Sequence, residues 1–176
     1  MADASTGDFF GYTLGNRYSG PDHKTHDDGR LVLIATTNPV KPDSIETVYV
    51  LVTPESRTIG KIAGEAWYGS GEDAIVSYER LRAILRNKYA SWETEEQSRQ
   101  HYQGARFWTG DYNLSLQVSG PHRDESAIQK ERPFQLVLAL SYMASTVAAE
   151  KFEQLAKAEI SQAEAEAYSE EESRGL

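Results

Sequence analysis

Apolar and polar residues alternate on either side of Thr53-Pro54-Glu55-Ser56. Val48, Val50 and Val52 share one side of an extended segment, and Thr47, Tyr49, Leu51 and Thr53 share the other, the period of two that a strand imposes. The return segment carries Ile59, Ile62, Ala66 and Trp67 around Gly60 and Gly64. The spacing between its isoleucines breaks the alternation and predicts a β-bulge. Together the two segments predict a β-hairpin. After Gly71 the period changes. Ile75, Tyr78, Leu81, Ile84, Leu85 and Tyr89 recur at helical spacing, which predicts a helix over Glu72 to Tyr89 packed across one sheet face. Ser70 lies three residues before Asp73 as a capping residue does, Glu72 and Asp73 suit the positive helix start, and Arg82, Arg86 and Lys88 suit its end.

The remaining pattern extends this unit. Leu31-Val32-Leu33-Ile34-Ala35 is an unbroken apolar run that predicts a well-covered strand, ended by Asn38-Pro39-Val40-Lys41-Pro42-Asp43. Tyr112, Leu114, Leu116 and Val118 alternate with Asn113, Ser115, Gln117 and Ser119, a half-buried antiparallel strand. Phe134, Leu136, Leu138, Leu140 and Tyr142 predict a central strand, with Val137, Ala139 and Met143 on its other side. Phe9-Phe10-Gly11-Tyr12-Thr13-Leu14-Gly15 is an aromatic cluster suited to plugging one edge of the core. Trp92 to Gly104 is polar and is expected to form a loop with a helical turn. From Ser145 helix formers predominate, with a thin stripe of Ala148, Phe152, Leu155 and Ile160, so a weakly docked helix is expected, frayed by about Ser169. The expected fold is α+β: a mainly antiparallel sheet of about five strands in the order β-β-β-α-β-β-α, one helix on a face and a C-terminal helix. A single domain over 1–145 and an acidic helix and tail over 146–176 complete it.

Composition narrows the classes. A chain of 176 residues with 39% hydrophobic content is long enough for one domain with a sizeable core. Its net charge of −9 opposes a broad grip on nucleic acid or anionic membranes. Much of that charge lies in the tail, where eight glutamates between Glu150 and Glu172 face only Lys151 and Lys157. The absence of cysteine excludes disulfides, thiolate metal sites and a cysteine nucleophile. No run approaches the roughly eighteen apolar residues of a membrane span. The N-terminal residues lack the basic start and apolar core of a signal peptide, although an abrupt polar start also fits a removed leader.

The runs Phe10-Gly11-Tyr12-Thr13-Leu14-Gly15 and Val50-Leu51-Val52-Thr53-Pro54, with Ile59, Ile62, Tyr78, Leu81, Leu85 and Lys88-Tyr89, resemble small exported bacterial α+β proteins of uncharacterised function. The resemblance spans roughly Phe9 to Tyr142. It implies a periplasmic or secreted location after removal of a leader, and it transfers no catalytic residue; without a leader the location is cytoplasmic.

Chemistry has few candidates. His23, His26 and Asp27 stand within Asp22-His23-Lys24-Thr25-His26-Asp27-Asp28, where two imidazoles three apart beside carboxylates suit a divalent ion if a helical or turn backbone joins them. A third fixed ligand is not evident, and solvated loops of this composition are common. His101 and His122, with Ser119 or Ser98, supply the parts of a nucleophile and base, without a nucleophile-elbow pattern. Glu65 and Asp111 are a conceivable carboxylate pair. Gly69-Ser70-Gly71 opens the predicted helix but lacks the lysine and length of a phosphate loop. Trp67, Tyr68, Trp92, Trp108 and Tyr112 fall near predicted element ends, where amphipathic rings build contact surfaces. The expected function is a non-catalytic protein-binding or inhibitory module, with no cofactor and another protein as partner. The alternative is a small hydrolase or metal-dependent enzyme using the Asp22–Asp28 loop; an acidic decoy for a nucleic-acid-binding protein is a third, weaker idea.

Overall fold

The computed structural model describes residues 3–21, 23–26, 30–37, 39–123 and 130–174, with residues 24–26 described by backbone alone. After a 3-10 turn at Ala4–Thr6 come β1 (Asp8–Phe9), β2 (Tyr12–Thr13), β3 (Lys24–His26), β4 (Val32–Ala35), β5 (Thr47–Val52), β6 (Ile59–Tyr68) and α1 (Gly71–Lys88). The second half holds β7 (Glu93–Arg99), β8 (Tyr102–Trp108), β9 (Tyr112–Ser119), β10 (Phe134–Tyr142) and α2 (Val147–Arg174). The fold is α+β, as the pattern predicts. β3 to β6 form one antiparallel meander and β7 to β10 another. Pairing of β6 with β10 joins them into an eight-stranded sheet of order β3-β4-β5-β6-β10-β9-β8-β7, and β1 and β2 form a separate two-stranded ribbon.

Alternation decides which side of the sheet is the core. Val48, Val50 and Val52, Ile62, Leu136, Leu138 and Leu140, Leu114 and Leu116, and Phe107 are all buried. The register places them on one face, since Val50 pairs with Ile62 and Leu136 with Val118. Against this face lies α1, contacting β9, β10 and β6 through buried Ala74, Tyr78, Leu81 and Leu85. Ser70 caps it as expected, its hydroxyl accepting from the Asp73 N–H at 3.2 Å. Ile84 departs from the expected stripe: it is 53% exposed.

The bulge is present where the isoleucine spacing predicts it. Leu51 pairs with Lys61 and Val52 with Ile59, leaving Gly60 as the extra residue. Four residues on, Gly64 lets the ribbon lie against the sheet. A Cβ there would meet Ile45 at 2.7 Å and Phe10 at 2.8 Å, and both are buried. The aromatic cluster thus sits on the core as expected.

Three strands of the main sheet and the ribbon exceed the expected count. The polar segment from Trp92 to Gly104, expected as a loop with a helical turn, is β7 and the start of β8. β7 has no buried residue, so it lacks the period-two hydrophobic signal by which strands are recognised. It is an edge strand whose Glu93, Glu95 and Glu96 oppose the addition of a further strand. Glu96 also meets Arg82 and Arg86 of α1 at 3.4 and 2.8 Å. In β8 only Ala105 and Phe107 are buried on the apolar face, a pattern too short to announce a strand.

α2 runs to Arg174 and so outlasts the expected fraying at Ser169. Alanine, glutamate and glutamine propagate a helix readily once its first turns are held. Those turns dock on few side chains. Phe152 packs on Tyr142, ring centroids 6.4 Å apart, in the space Gly60 leaves, and Ala156 is buried. Glu159, 6% exposed, is the polar anchor. Its carboxylate accepts from the Glu55 N–H at 2.8 Å, the Ser56 N–H at 2.6 Å and the Ser56 hydroxyl at 2.7 Å. Burial alone would raise its pKa, but the bonds from Ser56 and Glu55 outweigh it and the pKa lies below the ordinary value.

Removing this carboxylate has a defined consequence. Glu159→Ala loses hydrogen bonds to a charged group, about 2 kcal/mol of docking, and amide exchange over 147–160 accelerates while that of β6 and β10 is unchanged. Because the folded pKa is the lower one, the contribution is complete above the ordinary carboxylate value of 4.5. It is lost as pH falls through the folded value, so acid releases α2 in the wild type and changes little in the variant.

Candidate functional site

The five aromatics do not form one surface. Trp92 is 9% exposed and packs tilted against buried Tyr89, ring centroids 4.7 Å apart, so it belongs to the core. Tyr68 and Tyr112 are half-buried and pack against that core, the Tyr68 hydroxyl donating to the Ser44 carbonyl at 3.4 Å and Tyr112 stacking on Tyr142. Trp67 and Trp108 are on the other face of the sheet but far apart. Trp67 shares a row with Gln135, Ser119 and Tyr102, and Trp108 with Asn113, Ser141 and Lys61. The rows are six residues apart along β6, about 20 Å. Arg106 covers the Trp108 ring at 5.0 Å.

For the metal candidates, His23 is exposed and its carbonyl accepts from the Ala35 N–H at 3.1 Å. The chain then runs into β3, where three residues of extended backbone span about 10 Å; no turn brings positions 23 and 26 together. The side chain of His26, and Asp27 entirely, lie outside the described residues. Among the described residues no group of three His, Asp or Glu is placed to hold an ion.

Two polar arrangements are brought together. Ser119 Oγ and His122 Nε2 are 2.9 Å apart, with the Trp67 ring edge-on to the imidazole at 5.7 Å. Among the described residues no carboxylate bonds the other ring nitrogen. Glu65 does not pair with Asp111. It accepts from the Tyr49 hydroxyl at 2.8 Å and from Gln135 Nε2 at 2.9 Å, beside a shallow cavity of about 400 Å³. Burial and the bond to Glu65 push the Tyr49 phenol up to about 12, so it remains a donor at every physiological pH.

A concavity lined mainly by apolar side chains lies on the covered face, beside α1. Phe9 and Phe10 of the ribbon form one wall, Leu81, Ile84 and Leu85 of α1 the other, and Leu138 of β10 contributes from the sheet. The segment 40–44 closes the end, held to the ribbon by the Val40 N–H, which donates to the Phe10 carbonyl at 3.2 Å. The volume is about 520 Å³, within the range of ligand-binding clefts. Val40 and Ile84 stand 63% and 53% exposed at its mouth. Lys41, Arg80 and Lys88 share the lining with one acid, Asp43, and Lys88 also acts on Asp3, so the mouth of the cleft keeps a small positive excess in a chain of net charge −9. Lys41 donates to the Ile45 carbonyl, and Lys88 lies 5.4 Å from the Tyr89 ring centroid. Apolar walls with a basic mouth can seat an apolar group flanked by carboxylates.

The sequence reading missed this site because it assigned Ile84 to the core stripe and Val40 to a strand terminator. One signal was available. Arg80, Ile84 and Lys88 are spaced at i−4, i and i+4, which puts an apolar residue between two cations on one helix flank.

Burial sorts the tryptophans into different roles. Trp92→Ala is expected to cost about 3–5 kcal/mol by denaturant unfolding, whereas Trp108→Ala on the open face costs about 1 kcal/mol; similar losses would contradict the assignment. No helix among the described residues is long and apolar enough to cross a membrane. No protein-family model matches the chain, and comparison with curated proteins and with solved structures finds no match.

Proposed function

We propose that the protein is a non-catalytic binding module that receives a segment of another polypeptide in the cleft between α1 and the β1–β2 ribbon. The observation that carries the reading is the exposure of Ile84 and Val40 over an apolar cleft of about 520 Å³. Large apolar groups left open beside a concavity, and rimmed by polar ones, mark contact sites. Ile84→Arg tests it, since an exposed residue is replaced and stability changes by no more than about 0.5 kcal/mol. A polypeptide retained from the native extract by the wild type and by Trp108→Ala, but lost by Ile84→Arg, supports the cleft. Equal retention by all three baits contradicts it.

Acyl hydrolysis is a second reading, favoured by the Ser119–His122 contact at 2.9 Å. Among the described residues no carboxylate orients the imidazole, and a serine with an adjacent base alone is a weak nucleophile. A fluorophosphonate probe is therefore expected to leave Ser119 unmodified. Stoichiometric labelling abolished by His122→Ala would reverse the order of the two readings.

A further inference from the structure

The distal half of α2 is exposed in a way the docked half is not. Every residue from Glu164 to Arg174 is exposed, including Tyr168 at 65%. From Ile160 to Arg174 the helix extends about 21 Å at the usual rise beyond its anchor at Glu159. Its charge is also poorly placed. Glu170, Glu171 and Glu172 crowd the C-terminal end, where the helix dipole is itself negative. Arg174 is the one cation in this stretch, 4.0 Å from Glu170.

The exposed tyrosine sits in a row that complements the cleft. Glu164, Tyr168 and Glu172 are spaced at i−4, i and i+4, so one helix flank carries an aromatic ring with a carboxylate one turn away on each side. Arg80, Ile84 and Lys88 repeat that spacing on α1 with the opposite charge. Within each row neighbours are about 6 Å apart along the axis. Laying one row against the other therefore seats Tyr168 on Ile84 and pairs both carboxylates with both cations, in either helix direction. The two rows do not meet within one chain, because Ile84 and Tyr168 are both exposed there and Glu159 ties α2 to the β5–β6 turn.

We infer that the cleft receives the distal part of α2, residues 164–174, from a second copy of this chain. This deepens the reading of the cleft given above and rests on it. The contact is reciprocal in a two-fold dimer, each copy supplying one helix end and one cleft. Pairing relieves the acidic helix end and covers Ile84 and Val40 together.

Charge reversal with rescue by mixing tests this, read by sedimentation velocity over a concentration series at low and high salt. The wild type is expected to dimerise more weakly as salt rises. Arg80→Glu/Lys88→Glu makes the cleft row and the helix row both negative, and Glu164→Lys/Glu172→Lys makes both rows positive. Each variant alone is expected to lose about tenfold or more in dimer affinity, with a native circular-dichroism spectrum and a cooperative thermal transition showing that it folds. An equimolar mixture of the two restores the dimer, because each cleft then meets a helix end of opposite charge. Wild type that is monomeric throughout, variants that dimerise undiminished, or a mixture that stays monomeric each overturn the inference. None of these results alters the Ile84→Arg comparison, so failure of this contact is distinguishable from failure of the cleft as a binding site.

Discussion

The pairing of β6 with β10 is the constraint on which the rest of the molecule depends. Each half of the chain supplies an antiparallel meander, and neither meander alone offers the continuous apolar face of the joined sheet. The junction runs from Phe134 opposite Tyr68 to Ser141 opposite Lys61, placing Leu136, Leu138 and Leu140 beside Ala66, Gly64 and Ile62 in the middle of the core face. α1 is the connection between the meanders, so it lies over β6, β10 and β9. Its position leaves room beside it for the ribbon. Gly64, at the junction itself, permits the close approach of Phe10 and Ile45. The cleft is thus a consequence of the topology: it is the gap between a crossover helix and a two-stranded ribbon seated on the same face.

A second constraint acts at the far end of the chain. α2 has little apolar surface with which to dock, and it uses a carboxylate instead. Glu159 reaches the backbone N–H groups of Glu55 and Ser56 at the turn between β5 and β6, groups that the hairpin ladder leaves available. A buried anion held by such donors is stable only while ionised. Phe152 adds the apolar part, fitting against the bulge at Gly60. From Glu164 to Arg174 every residue of the helix is exposed, and this acidic end is opposite in charge to the mouth of the cleft.

The fold was legible where burial is one-sided. Val48 to Val52 and Leu114 to Val118 alternate in burial because one face of each strand is in the core, and Leu136 to Leu140 is apolar throughout because its strand is central. Ser70 and the isoleucine spacing around Gly60 announced a cap and a bulge through local geometry. β7 was illegible for the converse reason: with both faces exposed, Glu93 to Arg99 read as any polar segment does. The candidate site was harder still. Trp92 reads like Trp108 in composition, and only the three-dimensional neighbours separate a core ring from an open one. Ile84 satisfies the helical stripe as well as Leu81 does, because helical spacing defines a flank without saying how far the partner surface extends. Glu159 stood in an acidic run, where its neighbours concealed the one member with a buried role.

On the proposal made above, the cleft beside α1 binds a polypeptide segment, and a second copy's helix end fills it. The most direct measurement is photocrosslinking from a benzophenone side chain at position 84, in a mixture of isotopically light and heavy protein, with linked peptides identified by mass spectrometry. Mixed light–heavy peptides joining position 84 to residues within 164–174 are the predicted result. Links from position 84 only to residues of its own copy, with no mixed pairs, would contradict the account.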